Sequence, residues 1–216
     1  MKFKHSKNLV LKDKKSIFLD KSVKIGDNVT IYENNRIIGD TVIGNGVTIF
    51  PGCFISDSII DDFVEITSSN IDQSHIGEKS VIGPFARLRK GTKLEKKVKV
   101  GNFVEIKNST IGEGSKISHL AYVGDVDMGK DCNIGCGVIF VNYNGRNKNR
   151  SMVGDECFIG SNCNIIAPVK IESRSYICAG TTVTEDIKSN DFVIGRVRQE
   201  VKENRADKYL KQKSGE

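Results

Sequence analysis

An apolar residue recurs at every sixth position along most of this chain, and this spacing limits the fold more than any other feature. Three stretches keep the period without a slip: 25–55, 76–106 and 153–183. A period of six fits neither an α-helix nor a simple alternating strand. The residue after the apolar one is often glycine, and the fourth residue after it is usually small or β-branched. This pattern is typical of a hexapeptide repeat.

Each six-residue unit predicts one short strand and one corner, with glycine easing the backbone through the corner. Three units close one triangular turn of a solenoid. Twenty-seven apolar positions lie between Ile25 and Val183 once the five-residue slips are included, which predicts about nine turns. At a strand spacing of about 4.8 Å, the prism would be about 40 Å tall. The predicted fold class is therefore all-β, a parallel β-helix.

The pattern divides the chain into three parts. Residues 1–24 carry weak strand signals and are expected to form an N-terminal cap, 25–196 form the β-helix domain, and 197–216 form a charged tail. Within the domain the repeat jumps thirteen positions between Phe140 and Val153, across the polar residues 142–150. This segment must leave the prism as a loop, and loops on rigid scaffolds often carry function.

Composition restricts the partners. The net charge of +6 comes largely from lysines near the two ends, which are either solvated or attract a phosphorylated ligand. There is no aromatic and basic pattern typical of nucleic-acid binding, no apolar run long enough to span a bilayer and no signal peptide. We therefore expect a cytoplasmic protein with no nucleic acid or membrane partner.

Four of the six cysteines are expected to be structural. Cys53, Cys132, Cys157 and Cys163 all occupy the fourth position after the apolar residue, where a small buried side chain is needed. No Cys-x-x-Cys pair is present, so we predict no metal site.

Two cations replace the usual glycine beside the apolar position. Arg89 and Lys107 are eighteen residues apart with no slip between them, so they should stack on neighbouring turns. Like charges repel by roughly 1 kcal/mol at about 4 Å in water, so an anionic group is expected beside them. The residues alone leave two alternatives open: a phosphate clamp, or two side chains that point into solvent.

His119 lies in the stretch SHLAYVGD, close to Tyr122. A lone histidine is more often structural than catalytic, but an imidazole near an anion site is suited to accept a proton at neutral pH. Glu105 and Asp125 are the carboxylates that would orient it. Asn142, Tyr143 and Lys148 lie in the loop and are either ordinary loop residues or ligand contacts.

Five segments resemble one known family: IGPFARLRKGT (82–92), VGNFVEIKNSTIGEGSKISHLAYVGD (100–125), NIGCG (133–137), NYNGRNK (142–148) and IGSNCNIIAPV (159–169). They are similar to the acetyltransferase domain of the bacterial bifunctional N-acetylglucosamine-1-phosphate uridyltransferase/glucosamine-1-phosphate N-acetyltransferase. The similarity is close over about 80–196 and looser over 9–79. Known hexapeptide proteins coil left-handed, so the resemblance also implies a left-handed β-helix.

The resemblance implies acetyl transfer from acetyl-CoA to the amine of glucosamine 1-phosphate, with His119 as general base. Arg89 and Lys107 would bind the sugar phosphate, and Tyr122, Asn133 and Lys148 would contact the amino sugar or its phosphate. The residues implied to line acetyl-CoA are Cys136, Asn142, Tyr143, Ser161, Ala179 and Arg196. The family forms homotrimers whose sites lie between prisms.

The chain also departs from this family. Only about twenty-four residues precede the repeat, so we do not expect this chain to make UDP-N-acetylglucosamine by itself, and a separate uridyltransferase partner is left open. Cys136 stands where the family commonly has alanine, and Asn144 replaces an aspartate.

Three rival functions remain at this point. The chemistry could act on another amino sugar phosphate or a nucleotide sugar. The chain could be a non-catalytic trimeric scaffold or a partner subunit. A hexapeptide zinc enzyme is disfavoured, because His5, His75 and His119 include no closely spaced pair.

Overall fold

The structure is a computed structural model that describes residues 6–210. Thirty short strands wind into a left-handed parallel β-helix of ten turns, and no α-helix occurs in the described residues. The fold class predicted from the repeat is confirmed. The structure contains one turn more than predicted, because three strands lie outside the repeat counted from the sequence: Val10–Leu11 and Phe18–Leu19 before it and Phe192–Val193 after it.

In chain order the strands are β1 (Val10–Leu11), β2 (Phe18–Leu19), β3 (Lys24–Ile25), β4 (Thr30–Ile31), β5 (Arg36–Ile38), β6 (Val42–Ile43), β7 (Thr48–Ile49), β8 (Phe54–Ser56), β9 (Ile59–Ile60), β10 (Glu65–Ile66), β11 (Asn70–Asp72), β12 (His75–Ile76), β13 (Val81–Ile82), β14 (Arg87–Arg89), β15 (Lys93–Leu94), β16 (Lys99–Asn102), β17 (Glu105–Lys107), β18 (Thr110–Ile111), β19 (Lys116–His119), β20 (Tyr122–Gly124), β21 (Val126–Met128), β22 (Asn133–Ile134), β23 (Ile139–Val141), β24 (Ser151–Val153), β25 (Phe158–Ile159), β26 (Asn164–Ile166), β27 (Lys170–Ile171), β28 (Tyr176–Ile177), β29 (Thr182–Val183) and β30 (Phe192–Val193). A short 3₁₀ helix spans Ala206–Lys208.

The strands form three parallel sheets, one on each face of the prism. Face A runs from β1 through β4, β7 and every third strand to β28, and ends with β30. Face B runs from β2 to β29, and face C from β3 to β27. We name the corners by the faces they join: the chain passes through corner AB, then BC, then CA in each turn. Residues about seventeen or eighteen apart therefore stack on one another.

The repeated apolar residues form the core. Ile37, Ile55 and Ile71 are successive register partners on face B and are fully buried. Of the twenty-seven apolar positions, only Ile25 in the first turn is not fully inside. Burial of each such side chain contributes about 1.5–3 kcal/mol, so the period of six is also the main source of stability. The four cysteines predicted to be structural are buried among them: Cys53, Cys132, Cys157 and Cys163.

Glycine serves this fold by its small size as well as by its flexibility. A side chain at Gly101 would overlap the carbonyl oxygen of Ser118 in the next turn, so this position must lack a Cβ. The left-handed backbone conformation falls two residues later, at Phe103, with φ of 56°. Close stacking of turns therefore explains Gly101 better than the bend that the sequence suggested.

The loop predicted between Phe140 and Val153 is present. The chain leaves the prism after β23 at corner BC and returns in β24, and an antiparallel bridge between Tyr143 and Lys148 closes the loop. After β30 the described tail is exposed, and this includes Ala206 and Lys208 of its short 3₁₀ helix. No helix within 6–210 has the length and apolar character needed to cross a membrane.

Candidate functional site

Arg89 and Lys107 stack at the edge of face B, as their spacing predicted. They are register partners in β14 and β17. Arg89 Nη1 donates a hydrogen bond to Glu105 Oε1 at 2.7 Å, and Lys107 Nζ lies 3.3 Å from Asp125 Oδ2. The protein itself therefore supplies carboxylates that reduce the repulsion between the two cations.

Two further cations join this pair. Arg87 Nη1 lies 3.7 Å from Glu105 Oε2. The nearby ammonium group of Lys107 lowers the pKa of Lys148, with a smaller contribution in the same direction from Arg89, while Asp125 opposes the shift. We call Arg87, Arg89, Lys107 and Lys148 the cation cluster. Four cations face two carboxylates here, so the cluster retains positive charge for an anionic ligand.

A groove of about 580 Å³ adjoins the cation cluster. It is open to solvent, and Asp72, Arg87, Arg89, Lys107 and Asn108 contribute to its walls. The groove provides room for a small anionic molecule beside the stacked side chains.

Asp125 organises the cluster, although sequence reasoning assigned it no ligand role. Its side chain is 8% exposed and accepts hydrogen bonds from Asn108 Nδ2 and Asn142 Nδ2, each at 2.5 Å. Burial alone would raise the pKa of this carboxyl group, but these hydrogen bonds and the charge of Lys107 outweigh burial and lower the pKa. Asp125 therefore remains ionised and holds Lys107 in place.

The lowered pKa of Asp125 predicts an acid-sensitive contribution to stability. A group whose pKa is lower in the folded state stabilises the fold above its unfolded pKa of about 4, and this contribution disappears as the pH falls through the folded value. We expect Asp125→Asn to reduce the free energy of unfolding at pH 7 by at least about 1.5 kcal/mol and to flatten its decline below pH 4. Urea unfolding between pH 2 and 7 measures both effects. Parallel pH curves for the variant and the wild type would contradict the prediction.

The loop is anchored to the prism at both ends, and this places Lys148 beside the cation cluster. Asn142 is bound to Asp125 at its start, and at its end Arg150 Nη1 donates to the carbonyl oxygen of Asn108 at 2.9 Å. Arg150 also binds both carboxylate oxygens of Asp127. The sequence interpretation gave no role to Arg150.

Tyr122 lies between the cluster and His119. Its hydroxyl oxygen accepts a hydrogen bond from Asn142 Nδ2 at 3.4 Å. A side chain at Gly124 would collide with this hydroxyl group and with the Asn142 amide, so a larger residue there would displace both groups. Tyr122 therefore links the loop to the outer surface of face B.

His119 ends β19 at corner AB, on the opposite edge of face B from the cation cluster. Its side chain is exposed, and Nδ1 lies 2.7 Å from Oδ1 of Asn102 in the preceding turn. The expectation that Glu105 or Asp125 would orient His119 is wrong, because both carboxylates bind cations instead.

Four of the residues predicted to line acetyl-CoA follow His119 along corner AB. Successive backbone hydrogen bonds link the turns here: Gly137 N to Leu120 O, Asn162 N to Cys136 O, and Gly180 N to Ser161 O. Arg196 Nη1 continues the series with a hydrogen bond of 2.9 Å to Ala179 O. We call this line of residues the corner column: His119, Cys136, Ser161, Ala179 and Arg196.

The remaining predicted residues lie elsewhere on the prism. Asn142 and Tyr143 belong to the loop at corner BC, where Asn142 is buried and the Tyr143 hydroxyl group donates to Gly145 O at 2.8 Å. Asn133 begins β22 on face A, around the corner from Tyr122. One chain therefore does not bring all the predicted residues together.

Face C carries a second groove of about 560 Å³, which includes Asp127, Met152 and Lys170 and none of the predicted site residues. The described residues contain no group of three or more His, Cys, Asp or Glu side chains arranged to hold a metal ion.

Two protein families match parts of the chain. The GMPPB C-terminal domain matches residues 14–101, and the bacterial transferase hexapeptide family (six repeats) matches residues 150–185. Among individual relatives, the bifunctional protein GlmU of Clostridium novyi (strain NT) is 43% identical over 197 residues, which is 91% of this chain. The GlmU of Clostridioides difficile (strain 630) is 45% identical over 196 residues. In both comparisons the chain spans 43% of the length of the relative.

Solved structures of lower similarity were also found. UDP-N-acetylglucosamine acyltransferase from Campylobacter jejuni has a TM-score of 0.46 and 21% identity, with 81% of this chain and 68% of that chain covered. A mutant perosamine N-acetyltransferase from Caulobacter crescentus, solved with CoA and GDP-perosamine, has a TM-score of 0.37 and 25% identity, with 55% and 49% covered.

The repeat, the β-helix and the family matches define a hexapeptide-repeat transferase. Within this class, the chain is homologous to GlmU proteins over about nine tenths of its own length, a segment consistent with the C-terminal acetyltransferase domain of those proteins.

Proposed function

We propose that this chain transfers an acetyl group from acetyl-CoA to the amine of glucosamine 1-phosphate. The observation that carries this proposal is the arrangement of a cation cluster and a histidine on the two edges of face B, in a chain related to GlmU. The product is N-acetylglucosamine 1-phosphate, and the leaving group is the thiol of CoA.

The cation cluster binds the phosphate of the acceptor. Arg89 and Lys107 present charged donors from neighbouring turns, and Lys148 approaches them from the loop. Charged donors bind phosphate more strongly than neutral ones, and an arginine contacts two oxygens at once. The sugar then extends over Tyr122 toward corner AB, which directs its 2-amino group to His119.

His119 acts as the general base. The amine nitrogen attacks the carbonyl carbon of the acetyl thioester, the C–S bond breaks, and Nε2 of His119 takes the proton released by the amine. The sulfur leaves as thiolate and is protonated afterwards. Most of the rate acceleration comes from holding amine and thioester together, and proton removal adds about 10² to 10⁴-fold.

The corner column binds the acyl donor. Its members lie on successive turns about 4.8 Å apart, so an extended chain can lie along them with its thioester next to His119. Cys136 follows His119 directly and is half-buried, so its thiol borders the reacting group.

Assembly as a homotrimer explains the residues that one chain leaves apart. Asn133 on face A and Asn142 and Tyr143 on the loop lie away from the partners assigned to them. In a trimer with sites between prisms, they meet the corner column or the sugar of a neighbouring subunit.

The test is release of free CoA from acetyl-CoA, with glucosamine 1-phosphate, glucosamine and glucosamine 6-phosphate offered separately. We expect turnover with the 1-phosphate and little with the other two, because only the 1-phosphate places its anion in the cation cluster when the amine meets His119. If no CoA is released with any of the three but acetyl-CoA still binds, the acceptor is a different molecule. If no CoA is released and acetyl-CoA does not bind, a non-catalytic scaffold is favoured.

A further inference from the structure

The inference concerns the neighbour of His119 in the preceding turn. Asn102 and His119 are register partners in β16 and β19, and Asn102 Oδ1 lies 2.7 Å from His119 Nδ1. Asn102 is half-buried, whereas His119 is exposed. The imidazole ring therefore has one anchored nitrogen and one nitrogen directed away from the anchor.

The strands that carry Asn102 and His119 are longer than the other strands of face A. Most strands of face A contain two residues, but β16 and β19 contain four each, and the two extra residues carry the pairing as far as Asn102 and His119. Gly101 permits this extension, because a side chain there would overlap the Ser118 carbonyl oxygen. The sheet thus extends where the two side chains meet.

We propose that Asn102 is the positioning residue for His119, an inference that rests on the proposed acetyl transfer. An amide oxygen can only accept, so the Nδ1–H of His119 donates to Asn102 and the lone pair of Nε2 stays free to take a proton. A neutral acceptor also orients the ring without favouring the imidazolium ion. A base must be neutral to accept a proton, so an amide suits this position better than a carboxylate.

No other side chain competes for this role. The titratable residues on the strands and corners packed against His119 are Lys99, Lys116, Glu105, Tyr122 and Cys136. Within 6–210, none of them forms a hydrogen bond or an ion pair with the imidazole. Asn102 is the single hydrogen-bonding partner of His119 in this part of the chain.

The first experiment compares kcat and KM of the wild type, Asn102→Ala and Asn102→Asp. We expect Asn102→Ala to lower kcat between about ten- and a hundredfold while both KM values change less than about twofold, because orientation is lost and binding is kept. In the double variant with His119→Ala, the Asn102 change should have no additional effect. Asn45→Ala is the matched control, since Asn45 also hydrogen-bonds to a neighbouring turn but lies far away at corner CA.

The Asn102→Asp variant tests the pH dependence of kcat, which should not change if Asn102 had only a structural role. A carboxylate keeps the acceptor but favours the imidazolium ion, so the acidic limb of the kcat profile should move to higher pH, with activity recovered near pH 8. An unchanged profile, or additive losses in the double variant, would overturn the proposal.

A tautomer measurement separates this inference from the proposed function. Nitrogen NMR of His119 should show the Nδ1–H tautomer in the wild type and a mixture in Asn102→Ala. If this holds but no acceptor is acetylated, the proposed reaction fails and the positioning contact stands. If the wild type already shows a mixture or the Nε2–H tautomer, the positioning role is wrong.

Discussion

Replacing His119 with alanine is expected to lower kcat for acetyl transfer to glucosamine 1-phosphate by about 10² to 10⁴-fold, the usual contribution of a positioned general base. KM for the acceptor and for acetyl-CoA should change little, because the cation cluster and the rest of the corner column remain. The fold should be retained, since the His119 side chain is exposed and Asn102 is its single hydrogen-bonding partner within 6–210. Free CoA release under saturating substrates measures the loss.

The chain provides a matched control for this variant. His75 lies on face C in β12 and pairs with Asp61 at 3.0 Å, remote from corner AB. His75→Ala removes an imidazole of the same kind and should keep wild-type turnover. If His119→Ala also retained wild-type turnover, His119 would not be the base.

Arg89→Ala is expected to raise KM for glucosamine 1-phosphate by about ten- to a hundredfold. A hydrogen bond to a charged group is worth about 1.5–3 kcal/mol, and each 1.4 kcal/mol corresponds to a factor of ten. Lys107→Met should act in the same direction, since Lys107 neighbours Arg89 and is more buried. Initial rates at varied acceptor concentration measure both effects.

The phosphate itself tests the specificity of this result. Residual activity with glucosamine, which lacks phosphate, should be the same in Arg89→Ala and the wild type, because the lost contact is made to the phosphate alone. Lys93→Ala removes a cation paired with Glu95 on face C and should leave KM unchanged. Equal KM values for Arg89→Ala and the wild type would show that the cluster does not bind the acceptor.

Stacking of side chains was predictable where the repeat runs without a slip. Arg89 and Lys107 are eighteen residues apart within one uninterrupted stretch, so sequence counting placed them correctly on neighbouring turns. The partner of His119 was not predictable in this way. A five-residue step between Ile106 and Ile111 shifts the spacing to seventeen, and the nearest charged candidates, Glu105 and Asp125, point to other partners.

The sequence by itself determined the β-helix, the position of the loop and the apolar core, because a repeat of six is a local pattern that assigns each residue a place on a face or a corner. Only the tertiary structure decided which polar side chains meet. Asp125 binds Lys107, Asn108 and Asn142, which lie seventeen or eighteen residues away in the sequence. His119 forms its hydrogen bond with Asn102 rather than with a carboxylate. These pairings depend on side-chain direction and on the close stacking of turns, and the period of the sequence contains neither.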